Sequence, residues 1–362
     1  MASLTETAFI VRRGIVVGIA LIILITFGSI AWRLSSISQE DEVPVPTPTP
    51  SVLYGKLPHV NYPDSKQYPT NLELETIEGG PPVSTTSASV YFVPRKAPNL
   101  FSRRNAENFA EKLGFTEEPA EQGPTMLTFT DSETRDALVI DIATNNFRLR
   151  RNFVDTSVFT SESLPNEAQL QNLAQEYFQS INVWSSSLAK STVAYYAFQG
   201  SDIVEVDRAR DAQLARVYFL RPKIGEYPIV TANVDKSETY LLFAADSRRV
   251  TTVLEASFQN FPADERASST YPTISGQQAW EKLVSGEGYV AVPAGDSVTV
   301  REGYLAYYQD AEYQSYLQPV YVFEGDGGFV GMVSAIDPLW IGQEETFPTI
   351  DPKVTPGIGF PE

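Results

Sequence analysis

The sequence predicts an α+β protein: one N-terminal transmembrane helix, then repeated units in which a helix precedes a small antiparallel meander. Three observations predict it. A charge-free apolar run near the N-terminus has the length of a bilayer span. Three later stretches carry apolar residues at helical spacing between start and stop signals. Short runs of β-branched and aromatic residues, separated by turn formers, follow each of those stretches.

Residues 14–32 read GIVVGIALIILITFGSIAW and contain no charge. At 1.5 Å per residue the run extends roughly 28 Å, against a hydrocarbon core of about 30 Å. Arg12 and Arg13 precede it, and Glu40, Asp41 and Glu42 follow soon after Arg33. This cationic excess sets residues 1–13 in the cytoplasm and the body outside the cell membrane, as a single-pass protein of bacterial type. A cleaved signal peptide is the competing reading, because Ser29-Ile30-Ala31 has small-x-small form; the run is longer than an ordinary signal core. Residues 33–52 form a linker centred on VPVPTPTPS, whose alternating prolines favour extended polyproline II and suit a spacer.

The first helical pattern is SRRNAENFAEKLG, with Ser102 as cap, an apolar face of Ala106, Phe109, Ala110 and Leu113, and Gly114 as stop. The second, LPNEAQLQNLAQEYFQSI, places Pro165 near its start and a stripe of Leu170, Leu173, Ala174, Tyr177 and Ile181. The third is SGQQAWEKLVSGEG. Ser275 and Gln278 have capping-box spacing, Ala279, Trp280 and Leu283 face inward, and Gly286 ends it.

Strand signals follow each helix: TMLTFT, ALVIDIA and FRLRRNF; then VAYYAF, ARVYFLR, YPIVTANV, TYLLFAA and RRVTTVLEASF; then VTVREGYLAYY, LQPVYVFEG and FVGMVSAI. Asn145-Asn146, Asp246-Ser247 and Asp326-Gly327 supply turns. The reading gives α+β units over 53–160, 161–262 and 263–340 and a flexible Pro- and Gly-rich tail over 341–362. The last two units look alike, with ARVYFLR, YPIV and SRRVTTVLEA running parallel to GYLAYYQ, LQPVYVF and GGFVGMVSA.

Composition excludes several chemistries. A net charge of −18 repels a phosphate backbone, so nucleic acid is not an expected partner. The absence of cysteine rules out thiolate zinc sites, iron–sulfur clusters and disulfides. With one histidine, His59, neither a multi-histidine metal site nor an ordinary Ser-His-Asp triad is expected. No cofactor and no metal is expected.

Three weaker patterns suggest chemistry. Ser187 and Lys190 match S-x-x-K, in which the lysine activates a serine nucleophile, but the companion S-D-N and K-T-G elements are missing. Two converging carboxylates from Glu117, Glu118, Asp310, Glu312, Glu324 and Asp326 would suit glycoside hydrolysis. Asn233 to Glu238 resembles a calcium loop without its glycine and distal glutamate, and a hairpin turn accounts for it better. The Tyr-dense stretch offers Tyr304, Tyr307 and Tyr308 as candidate partner-binding residues, since tyrosine favours interfaces. Ordinary sheet packing is the alternative.

The third unit resembles a PepSY-like module through SGQQAWEKLVSGEG, GYLAYYQ, YLQPVYVFEG and FVGMVSAI. The whole plan also resembles the YycI and YycH regulators of Gram-positive bacteria. That resemblance implies one anchor, an extracytoplasmic body of such units, action by contact with a membrane sensor kinase, and no catalytic residues. The expected function is therefore that of a membrane-anchored extracytoplasmic interaction or regulatory protein without enzymatic activity, partnered with another envelope protein. A cell-wall or glycan-binding module is the alternative, and an envelope hydrolase a further one.

Overall fold

A computed structural model describes residues 50–343 apart from 78, 84, 153–158, 161–163, 186, 187, 189, 201 and 247–250. The expected span over 14–32, most of the linker and the tail beyond residue 343 lie outside the described residues, while Ile341–Gln343 of the expected flexible tail form a strand paired in parallel with Leu57–Pro58. Among the described residues no helix is long and apolar enough to cross a membrane.

The strands in chain order are β1 (Leu57–Pro58), β2 (Asn71–Leu74), β3 (Ser87–Phe92), β4 (Ala120–Gln122), β5 (Met126–Thr130), β6 (Ala137–Asp141), β7 (Phe147–Arg150), β8 (Ser191–Gln199), β9 (Asp202–Val206), β10 (Leu214–Phe219), β11 (Ile229–Val230), β12 (Tyr240–Ala245), β13 (Thr251–Phe258), β14 (Asp264–Pro272), β15 (Tyr289–Val292), β16 (Ser297–Tyr308), β17 (Tyr316–Gly325), β18 (Phe329–Ser334) and β19 (Ile341–Gln343). The α-helices are α1 (Ser102–Lys112), α2 (Glu167–Ser180) and α3 (Gly276–Val284).

The structure corrects the expected fold class. The described chain is mostly β, and its strands do not close into successive helix-plus-meander units. A nine-stranded sheet runs β4-β5-β6-β7-β13-β12-β10-β8-β9. It is joined in its middle by β7 and β13, with Leu149 opposite Ala256 and Phe147 opposite Phe258. The physical reason is edge satisfaction. A three-strand meander leaves unpaired N–H and C=O groups along its outer strand, and pairing β7 with β13 satisfies them. The eight-stranded sheet has the spine β11-β16-β17-β18-β15, with β2, β3 and β14 added.

The supposed repeat diverges at YPIV. Its strand β11 leaves the neighbourhood of β10 and pairs in parallel with β16 of the other sheet, Ile229 opposite Tyr307 and Val230 opposite Tyr308. LQPVYVF instead forms β17 between β16 and β18.

Helices α1 and α2 cover one face of the nine-stranded sheet. Ala106 and Ala110 of α1 and Leu170, Ala174 and Phe178 of α2 share a core with Leu138, Leu149, Val217 and Phe243. The start of α2 is fixed by a reciprocal capping box between Asn166 and Gln169. Helix α1 departs from expectation: Phe101 holds the cap position without a side-chain bond, and the Ser102 hydroxyl accepts from the Asn99 amide at 2.9 Å. Helix α3 has the predicted Ser275–Gln278 box and buries Ala279 and Leu283 against Val290, Phe323 and Phe329.

Phe178 is fully buried, with Phe219 and Phe258 packed edge-on at centroid distances of 5.3 and 6.3 Å. Phe178→Ala should therefore cost about 3–5 kcal/mol in denaturant unfolding. A loss below about 1 kcal/mol would mean that α2 does not seal this core.

Candidate functional site

Strand alternation builds the site. In β6, Leu138 and Ile140 enter the helix-covered core, so Val139 and Asp141 fall on the opposite face. Likewise Leu127 and Phe129 of β5 and Leu149 of β7 point inward, leaving Met126 and Arg148 outward. That outer face is one wall of a cavity of about 850 Å³. The opposing wall comes from residues 58–61, from Asp310, Glu312, Tyr313 and Gln314 in the connection between β16 and β17, and from Gln318 in β17.

The connection is held at several points. The Gln309 amide donates to Val230 O at 2.8 Å, and Arg221 donates to the Gln309 side-chain oxygen. Gln314 Nε2 donates to Tyr308 O at 2.8 Å, and the Tyr313 hydroxyl donates to Val93 O at 2.7 Å. Asp310 is thereby held at 7% exposure. Its Oδ2 accepts from Asn61 Nδ2 at 2.7 Å, and no cation among the described residues pairs with it. Burial raises its carboxyl above the ordinary range, while the bonds from Asn61 and from the Glu312 and Ala311 amides oppose that shift. Beside it, Tyr62 stacks on Tyr289 at 4.8 Å and meets Tyr308 edge-on at 4.9 Å.

Two other buried or half-buried carboxylates are paired with arginines. Asp136 pairs with Arg151 at 2.7 Å, and Glu255 with both Arg150 and Arg216 at 3.1 Å. Within the cavity wall, Asp141 is committed to its own turn, accepting from the Ala143 amide and the Thr144 hydroxyl at 2.9 Å each. Arg148 pairs with Glu238 at 3.2 Å, and the Arg95 guanidinium lies 5.4 Å above the Tyr313 ring. Gln318, 2% exposed, donates through Nε2 to Pro58 O at 3.0 Å. Its Oε1, like that of Gln259, accepts no hydrogen bond from a described residue. His59 is exposed on the rim.

The candidate tyrosines are placed differently from expectation. Tyr307 and Tyr308 are core residues, 2% and 1% exposed, and cannot present a binding surface. The Tyr307 hydroxyl donates to Ser89 O at 2.9 Å, and Tyr308 packs with Val230, Val320 and Tyr62. Tyr304 is half-buried and donates to Glu324 Oε1 at 2.5 Å. Alternation fails to expose every second ring because both faces of β16 are covered, one by residues around Val60 and Val234 and the other by Val93 and Ile224.

The remaining candidates are dispersed. Ser187 lies outside the described residues, and Lys190 is exposed. Glu117 is exposed and accepts from the Ser132 amide at 2.7 Å, Glu118 is exposed, and Asp326 pairs with Arg301 at 2.7 Å. Of the six carboxylates considered, Asp310 and Glu312 line the cavity together. Asn233 to Glu238 is a turn, in which Asn233 Oδ1 accepts from the Asp235 amide at 3.1 Å and Thr231 donates to Lys236 O at 2.9 Å. The cavity was not anticipated as a site. The Asp310 acid was noted only as one of many, since nothing local marks which acid loses its solvent.

No protein-family model and no curated protein matches this chain. Solved structures similar to parts of it include two bacterial proteins. An uncharacterized protein from Eubacterium rectale aligns over 76% of this chain and 91% of its own, at 14% identity and a TM-score of 0.39. The Bacillus megaterium YpeB C-terminal domain aligns over 67% of this chain and 100% of its own, at 13% identity and a TM-score of 0.29. At these scores neither likeness bears on family or function, and the reading of the site rests on its own geometry.

Two outcomes follow from the geometry. Tyr308→Ala should cost about 3–5 kcal/mol as a core truncation, whereas Tyr307→Phe should cost about 1 kcal/mol through the lost bond to Ser89. Equal, negligible effects in denaturant titrations would return these rings to the surface. Asp310→Asn should raise the melting temperature at neutral pH by roughly 2–4 °C. A carboxyl raised on folding contributes its full stability below its unfolded pKa and loses it as pH rises through the folded value. The advantage of the variant should therefore shrink as pH falls into the carboxylate range. A variant less stable than the parent at neutral pH would contradict the assignment.

Proposed function

We propose that this is a membrane-tethered, extracytoplasmic interaction or regulatory protein that does no covalent chemistry and engages another envelope protein through the cavity between its sheets. The observation that carries this reading is the cavity itself. It is about 850 Å³, the size of an ordinary ligand site, and it mixes aromatic and apolar wall with amide and charged groups. Phe261 and Tyr313 supply apolar surface, and Asn61, Gln259, Gln314 and Gln318 supply donors and acceptors. Such a lining suits an extended peptide, whose main chain needs both. The apolar run over 14–32 and its flanking charges support the tether. The resemblance to the YycI and YycH regulators points in the same direction and names a sensor kinase as one kind of partner.

Amides beside aromatic rings also suit a glycan, which keeps cell-wall binding as the second reading.

A photo-crosslinking side chain placed in the full-length protein tests the reading. At His59 or Glu312, both exposed on the cavity lining, it should capture the same envelope protein in cells. At Glu111, exposed on α1 across the sheet from the cavity, it should capture none. Capture of cell-wall glycan from the two cavity positions would favour the second reading, and capture only from Glu111 would contradict both.

A further inference from the structure

The cavity has a chemical preference that its outline alone does not give. Asp310 is a buried carboxylate that accepts from Asn61 and from the Ala311 and Glu312 amides and has no counter-cation among the described residues. Desolvating a charge without a partner is unfavourable by several kcal/mol in general, and folded proteins ordinarily pair or neutralise such a group. This chain follows that rule at Asp136 and Glu255, where arginines supply the partner. Asp310 departs from the rule, and it does so on the wall of a cavity.

A second observation points to an occupant. Gln318 is 2% exposed, lines the same cavity, and holds a side-chain carbonyl oxygen that accepts no hydrogen bond. Gln259 repeats the feature on the other wall. Buried acceptors without donors are rare in native structures. Together these groups leave oxygen acceptors on the lining without a full set of donors. The lining cations do not fill that role: Arg148 is engaged with Glu238, and Arg95 lies over the Tyr313 ring. The full chain, with a net charge of −18, is complementary to a basic partner.

We infer that the cavity receives a basic side chain from an extended segment of a protein partner, with its ammonium or guanidinium group paired to Asp310. Phe261 lines the cavity beside the aliphatic stem. The inference rests on the cavity being the docking site.

The test uses purified full-length protein in detergent at about 0.15 M salt, where charges farther apart than about 8 Å are largely screened. The probe is a fluorescent nonapeptide with lysine at every third position, compared by anisotropy with its Nε-acetylated twin. Acetylation should weaken binding at least tenfold, and so should Asp310→Asn. Glu281→Gln, exposed on α3, should change affinity less than twofold. Equal affinity of parent and Asp310→Asn would overturn the inference, since binding would then report overall acidity. Equal affinity of the two peptides, or no binding of either, would overturn it as well. A separate variant isolates the underlying reading. Ala143→Trp, which fills the cavity from its lining, should abolish in-cell crosslinking from Glu312. If that capture is lost while the lysine peptide shows no dependence on Asp310, the docking site stands and the basic side chain does not. If capture survives, both fail.

Discussion

Two-sided burial of β17 is the constraint from which the rest of this structure follows. Leu317 to Phe323 are buried without interruption, although successive side chains point to opposite faces. Tyr321 and Phe323 pack under α3, and Val320 and Val322 enter a separate core with Tyr308 and Met332. A strand of this kind needs cover on both sides. One side is supplied by α3. The other is supplied by irregular chain: residues around Val60 and Tyr62 and those from Val230 to Val234. Covering with loops instead of a helix has a consequence. Loop backbone groups must find partners when they are buried, and here side chains provide several of them, as in the bonds from Gln314 and Tyr313. Asp310 is drawn out of solvent as part of that same connection.

The nine-stranded sheet meets a related problem differently. Its inner face is a conventional core under α1 and α2, while its outer face is divided. Toward β8, the face is closed by Tyr196, Leu214 and Leu242. Beside them Arg216 lies 4.5 Å from the Tyr240 ring centroid and pairs with Glu255. In that network the arginines and the glutamate are paired. Toward β5 to β7 the outer face turns polar and stays open as the cavity wall. The carboxylate without a cation, Asp310, sits on the opposing wall of that cavity. Local rules are broken at functional sites more often than elsewhere, because stability is given up there for binding.

Much of the framework was legible in the sequence. The three helices were visible as apolar periodicities, and the Ser275–Gln278 box was readable because capping is a four-residue signal. The strongly patterned strands, such as β6, β12 and β18, were visible through their β-branched and aromatic content. Strand β14, DERASSTYP, was not: it is mostly polar, and its pairing with β3 involves a partner almost 180 residues away that no local pattern announces. The fold class was misread for a similar reason. Periodicity identifies strands but does not choose their neighbours, so β7 pairing with β13 and β11 pairing with β16 were invisible. The tyrosines of β16 were misplaced because alternation predicts one exposed face only when nothing covers it. Asp310 was one acid among 45 acidic residues, and its distinction is the loss of solvent, which is a property of the assembled cores.

The central claim is that Asp310 is a desolvated carboxylate awaiting a cation. The most direct measurement is an NMR titration of the Asp310 side-chain carboxyl in ¹³C-aspartate-labelled protein, assigned with Asp310→Asn, without and with the lysine peptide. The account predicts a midpoint above the ordinary carboxylate range in the free protein, moving down when the peptide is bound. An ordinary midpoint that the peptide leaves unchanged would contradict it.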